Sequence, residues 1–307
     1  MTAIQADRVS LEYESFGPAS DPAILLVMGL GMQMIMWPDA FCEMLVAKGF
    51  RVVRFDNRDA GLSTQLDHLG MPSLGIATLK FLLRLPLKAP YLVGDMARDT
   101  AALLAALGIE RAHVVGASMG GMIGQNLAAD FPGKVLTLTS IMSTTGKRSL
   151  PGPTAKARRA LLTPPARRGD IEGATVRLMN VLRAIGSNTY PAEENYLRAL
   201  CERHVRRSHN PAAGARQLLA IAASGDRTSA VRRIKAPTLV IHGDEDPLVR
   251  PACGEATARA IREGGGDARL EIVHGMGHDL PVPLLPRLAE LIAEHCRRHA
   301  QAAHAVA

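Results

Sequence analysis

Three residues of the 307-residue chain have the types and order needed to attack a carbonyl carbon. Ser118 lies in Gly116-Ala117-Ser118-Met119-Gly120, a G-x-S-x-G pattern that follows an apolar run and opens an amphipathic one. A direct turn from strand to helix forces the serine into strained backbone geometry. Glycines on either side remove side chains that would strike the neighbouring elements, and the helix N-terminus supplies N–H groups where an oxyanion would form. A serine hydroxyl needs a general base to become a useful nucleophile. Of the ten histidines, His278 is the candidate, because its Gly-rich loop opens at the C-terminal end of the last expected strand. His274 is the runner-up and is expected to be a half-buried turn residue. His113 lies five residues back along the serine's own strand, about 16 Å away at roughly 3.3 Å per residue, and is read as structural. The orienting acid should fall between serine and histidine in the chain. His242-Gly243-Asp244-Glu245-Asp246-Pro247 offers Asp246 as first choice and Asp244 as alternative, in a spacing that fits no EF-hand loop.

A second oxyanion donor is expected from the loop after the first buried strand, Met28-Gly29-Leu30-Gly31-Met32. The Leu30 and Met119 amides are the candidate pair, with Gly29, Met32 and Trp37 as candidate pocket residues. Gly29-x-Gly31 also begins a dinucleotide fingerprint, but Met34 stands at the third glycine position, and the dinucleotide reading is set aside. No cofactor and no metal are expected.

The surrounding pattern supplies the scaffold. Two β-like segments near Gln5–Ser15 precede Ala23–Met28, a continuous apolar run of the kind found in strands buried on both faces. Strands at Arg51–Phe55, Ala112–Gly116, Val135–Ser140, Thr238–His242 and Leu270–Val273 alternate with helices near Trp37–Lys48, Met96–Leu107, Met119–Asp130, Ala252–Glu263 and Pro283–Arg297. This rhythm predicts an α/β protein with a mostly parallel central sheet and helices on both faces. From 142 to 235 the strand signal disappears. Asp170 caps a helix running to Gly186, and Asn210-Pro211 starts another through Ala223. The chain thus divides into a core, 1–141 and 236–307, and an inserted helical cap, 142–235. The tail 301–307 is expected to fray.

Charge follows that division. The net +7 of the chain conceals 18 Lys and Arg against 6 Asp and Glu between Lys147 and Lys235, a net +12 that leaves −5 elsewhere. A solvated helical surface is the preferred reading of the cap's arginines, with an entrance that attracts anionic esters or a membrane-surface contact as the alternatives. Neither aromatic interleaving nor a nucleic-acid motif accompanies them. Four scattered cysteines form no zinc or disulfide pattern. There is no apolar run long enough to span a bilayer and no secretory h-region. A cytoplasmic protein acting on a small molecule is expected, without nucleic acid or stable membrane insertion; a homodimer is left open.

Taken together, M-G-L-G-M at 28–32, D-N-R-D-A-G-L-S at 56–63, G-A-S-M-G-G at 116–121, H-G-D-E-D-P-L-V at 242–249 and G-M-G-H at 275–278 resemble the α/β-hydrolase superfamily over nearly the whole chain. They are most similar to its aclacinomycin methylesterase-like serine esterases. The resemblance implies that Asp56, Arg58, Gly61 and Ser63 brace a loop, that Asp246 and His278 fall on the family's acid and base, and that no cofactor is used. Met28-Gly29 stands where many relatives have His-Gly, which keeps the backbone donor but loses a polar side chain. The serine excludes the superfamily's chemistries that need an aspartate nucleophile. Hydrolysis of a carboxylic ester through an acyl-enzyme is the expected reaction. A lactonase, C–C hydrolase or cofactor-free perhydrolase would use the same triad.

Overall fold

The computed structural model describes residues 2–304, with side chains through 299. Eight strands form one sheet: β1 (Thr2–Ala6), β2 (Val9–Phe16), β3 (Ala23–Val27), β4 (Arg51–Phe55), β5 (Ala112–Ala117), β6 (Val135–Ile141), β7 (Thr238–Gly243) and β8 (Ala268–Val273). Their order is β1-β2-β4-β3-β5-β6-β7-β8. β2 pairs antiparallel with β1 and β4, and the other pairs are parallel.

Period-two alternation sorts the side chains between two layers. Leu25 and Val27 of β3, Val114 of β5 and Val240 of β7 enter one core. Helices α3 (Val93–Ala106), α4 (Met119–Asp130) and α10 (Pro251–Glu263) cover that core. Ile24, Leu26, Val115, Leu239 and Ile241 enter the other, against α1 (Asp39–Val46) and α11 (Leu285–His304). Every residue of β3, β5 and β7 is therefore buried, which accounts for the unbroken apolar run of β3 and the largely apolar β5 and β7. α11 continues to His304, through part of the tail expected to fray, and residues 305–307 lie outside the described residues.

Sequence punctuation sets several boundaries. Asp170 accepts from the Gly173 amide at 2.8 Å and starts α6 (Ile171–Ile185). Asn210 precedes Pro211 at the head of α8 (Pro211–Ser224). Between β6 and β7 lie α5 (Ala155–Leu161), α6, α7 (Glu194–Arg207), α8 and α9 (Thr228–Val231), with no strand among the described residues. Another helix, α2 (Leu74–Leu82), interrupts the stretch between β4 and α3.

The helical block has its own apolar cluster of Leu178, Met179, Leu197, Cys201 and Val205. Buried polar contacts tie the block to the core. The Arg216 guanidinium donates to both Asp59 carboxylate oxygens, at 2.7 and 2.8 Å, with both side chains fully buried. Arg207 donates to Asp56 at 2.6 Å and to Gln33 at 2.7 Å, and Gln217 accepts from the Gly31 amide at 2.7 Å.

Candidate active site

Because β3 to β8 are parallel, the loops after β3, β5, β6, β7 and β8 meet at one edge of the sheet. Ser118 stands between β5 and α4 at φ 55°, ψ −117°, a left-handed backbone conformation that costs a non-glycine residue of order 1–3 kcal/mol. The neighbours hold it there. The Ser118 amide donates to the Ile141 carbonyl at 2.9 Å, and the Ser143 hydroxyl donates to the Ser118 carbonyl at 2.8 Å. A Cβ on Gly116 would overlap the Gly120 backbone, and one on Gly120 would overlap the Val27 carbonyl. The tight turn requires both glycines.

The serine hydroxyl lies 2.9 Å from His278 Nε2, and His278 Nδ1 lies 2.7 Å from Asp246 Oδ2. His278 and Asp246 are buried, while Ser118 is half-buried. Asp246 accepts from the Leu248 and Val249 amides through its other oxygen, at 2.9 and 2.8 Å. Its burial alone would raise the carboxyl pKa. The charge and hydrogen bond of His278, with those of His242, outweigh burial and lower it to about 2. The carboxylate therefore stays ionised and fixes the proton on Nδ1, leaving Nε2 free to accept from the serine. His242, fully buried, donates from Nε2 to the Val249 carbonyl at 2.7 Å and braces the same turn.

The second choices from the sequence pair with each other outside this line. His274 Nδ1 lies 2.7 Å from Asp244. Its side chain is 83% exposed, not half-buried, because Gly275 turns the chain outward immediately after β8. His113 is buried at the start of β5 and bonds Thr137 at 2.9 Å.

Gly29 packs beside the nucleophile; a Cβ there would come within 3.2 Å of Ser118 Cβ. Met119, as the first residue of α4, has no intrahelical acceptor for its amide. Among the described residues no main-chain contact outside the helices and strands engages the Leu30 or Met119 N–H. Met32 is half-buried and touches both the core and the cluster of the helical block. Trp37 departs from the expected pocket position: it is fully buried and stacked on Phe41, with ring centroids 5.6 Å apart. The helix that follows it turns the indole into the α1 layer.

Asp56 accepts from the Met34 amide at 2.7 Å and the Leu62 amide at 3.0 Å, and its carbonyl accepts from Ser63 at 2.6 Å. These contacts brace the loop, and Gly61, at φ +53°, leaves room for the carboxylate.

The sequence did not single out the contacts between the helical block and the triad loops. The His278 amide donates to the Ile185 carbonyl at 2.8 Å, and the Gly277 amide donates to the Ser187 hydroxyl at 2.7 Å. Ser187 donates in turn to Asp279 at 2.7 Å. Glu245 accepts from the Asn188 and Thr189 amides at 2.8 and 3.1 Å. Five arginines of the block pair with carboxylates: Arg183, Arg198, Arg206, Arg232 and Arg233 with Glu194, Glu172, Glu202, Glu263 and Asp130 respectively. No group of three or more His, Cys, Asp and Glu side chains suited to a metal occurs among the described residues. An open groove of about 310 Å³ lined by Arg262, Arg269, Arg298 and His295 lies at the starts of β7 and β8, and contains none of these candidates.

Residues 22–282 match the family model described as alpha/beta hydrolase fold. The chain belongs to that family. Within it, the chain is 30% identical to rhodomycin D methylesterase DauP of Streptomyces sp. strain C5, over 96% of this chain and 97% of that protein. It is 29% identical to rhodomycin D methylesterase DnrP of Streptomyces peucetius over the same shares. Among solved structures, the enol-lactonase of Burkholderia xenovorans LB400 superposes with a TM-score of 0.69 at 22% identity, covering 96% of this chain and 99% of that one, a likeness of fold. No helix among the described residues is long and apolar enough to cross a membrane.

Proposed function

We propose that this alpha/beta hydrolase cleaves carboxylic esters of small molecules through an acyl-enzyme. The observation that carries the reading is the unbroken line Ser118 Oγ, His278 Nε2, His278 Nδ1, Asp246 Oδ2, with steps of 2.9 and 2.7 Å between residues. Ser118 attacks the ester carbonyl carbon as His278 Nε2 takes the hydroxyl proton. The Leu30 and Met119 amides donate to the oxyanion. The tetrahedral intermediate collapses, and His278 returns the proton to the departing alcohol. Water, deprotonated by His278, then attacks the acyl-serine, and His278 returns that proton to Ser118 Oγ as the acid is released. Asp246 holds the imidazole orientation and stabilises the imidazolium.

Residues 142–235 serve in this reading as a lid above the core formed by 1–141 and 236–307, with Met32 beneath it and Gly29 beside the nucleophile. Two full-length relatives are named rhodomycin D methylesterases, which supports a methyl ester as substrate.

Ser118→Ala is expected to abolish turnover of p-nitrophenyl esters and stoichiometric labelling by a fluorophosphonate, with the circular dichroism spectrum unchanged. Retained turnover would refute the assignment. A panel of methyl esters and lactones of matched size separates ester cleavage from ring opening by the same triad.

A further inference from the structure

Helix α2 is inside out. Its half-buried positions, Leu74 and Ala77, face the protein, with Phe81 beneath the Arg148 guanidinium at 4.7 Å. The opposite face carries Ile76, Leu79, Leu82 and Leu83, which are 60%, 58%, 72% and 60% exposed. The spacing of Ile76, Leu79 and Leu83 places them in one stripe, with Leu82 alongside. The chain then turns at Arg84, held at φ 57°, and the Leu85 amide donates back to the Lys80 carbonyl at 2.9 Å. Met71 and Leu85, 55% and 47% exposed, extend the apolar surface at either end. Single exposed leucines need no explanation, but a contiguous apolar surface marks an interaction site.

Charge selects the partner. Residues 68–94 contain Lys80, Arg84 and Lys88 and no Asp or Glu. A second copy docking through the same face would bring two sets of these cations together about the symmetry axis. An anionic lipid surface instead takes leucines into the acyl boundary and cations into the headgroups. We propose that α2 and the following segment through Lys88 form an interfacial anchor, lying on anionic bilayers without crossing them. The anchor rests on α8, and the Arg216 guanidinium of α8 donates to the Gly70 carbonyl at 2.8 Å. The lipid face therefore adjoins the helical block, so an apolar ester dissolved in the bilayer would reach the enzyme from that side.

Co-sedimentation of the full chain with vesicles of phosphatidylcholine alone, or of phosphatidylcholine and phosphatidylglycerol at about 7:3, tests the assignment. The protein is expected to bind the anionic vesicles, to ignore the neutral ones, and to be released by about 0.5 M NaCl. Leu79→Glu with Leu83→Glu should abolish binding while leaving p-nitrophenyl acetate turnover unchanged. Lys80→Glu, Arg84→Glu and Lys88→Glu together should weaken binding at least roughly 100-fold. Equal affinity for both vesicle types, undiminished binding by either variant, or no binding overturns the proposal. It is equally overturned if sedimentation velocity shows a dimer that the leucine variant dissociates while vesicles stay free.

Discussion

The Ser187 hydroxyl donates to the Asp279 carboxylate at 2.7 Å while accepting from the Gly277 amide at 2.7 Å. One small side chain from the turn after α6 thereby grips the residues on both sides of His278. Asp279 is half-buried, and its partial loss of solvent raises its carboxyl pKa, while the bonds from Ser187 act in the opposite direction. The helical block helps to hold His278 in register with Ser118, in addition to its proposed part as a lid.

Ser187→Ala removes the bridge without adding bulk. It leaves the half-buried Asp279 carboxylate and the buried Gly277 amide each short of a partner, a cost of about 1–3 kcal/mol. If that cost falls on the loop geometry, kcat drops by roughly tenfold or more with little change in KM. Steady-state kinetics on a p-nitrophenyl ester checks this, and a change confined to KM would assign Ser187 to substrate contact.

His278 and His274 provide an internal comparison, since each faces an aspartate at 2.7 Å. The His274–Asp244 pair is exposed to water, which screens its attraction and leaves it little to contribute. His274→Ala should therefore retain activity within about twofold. His278→Ala should lose roughly 1000-fold or more, because the serine loses its base. Parallel assays of the two variants distinguish the residues, and equal losses would reverse the assignment.

Much of this site is written locally. Ser118 announces itself because the turn needs Gly116 and Gly120, and chain order narrows the acid and base to two short loops. The parallel sheet is legible for the same reason: strands covered on both faces have no polar alternation to obscure them. The place of Trp37 is open in the sequence because a Met- and Trp-rich loop reads alike whether it lines a pocket or fills a layer; its burial and stacking on Phe41 put it in the layer. Ser187 and Arg216 were invisible because their partners, Asp279 and Asp59, lie 92 and 157 residues away. α2 is not legible because Leu74–Leu82 is apolar nearly all round, with Lys80 its one charged residue, so no polar face marks a helical period.

Acid stability should be governed by buried histidines. Burial lowers His113, His204 and His295 to about 4 from 6.5. The charges of His295 and His299 assist at His113, those of Arg207 and His209 at His204, and that of His299 at His295. Between pH 6.5 and 4 the unfolded chain binds these protons and the folded chain does not, so stability falls as pH falls through that window. Urea midpoints at pH 7, 6 and 5 should decline steadily. His113→Gln should flatten the slope by about one proton, and an unchanged slope would show that His113 takes up its proton in the folded state.

The Arg216–Asp59 pair is the strongest candidate for what keeps the helical block seated. Both groups are fully buried, Tyr91 donates to the same carboxylate at 2.8 Å, and Gln217, the next residue on α8, holds the Gly31 amide beside the expected oxyanion donor. Removing one partner strands a buried charge, which typically costs 3–5 kcal/mol. Arg216→Ala should therefore lower the denaturation midpoint sharply. Arg216→Met with Asp59→Asn, which removes both charges and keeps most of the volume, should recover a large part of that stability. Activity need not return with it, because the seating of α8 fixes Gln217 over the Leu30 loop. Chemical denaturation of the two variants beside their ester turnover separates these effects. If both variants are as stable as the parent, the ion pair contributes nothing to seating the block, and the apolar contacts of α8 alone suffice.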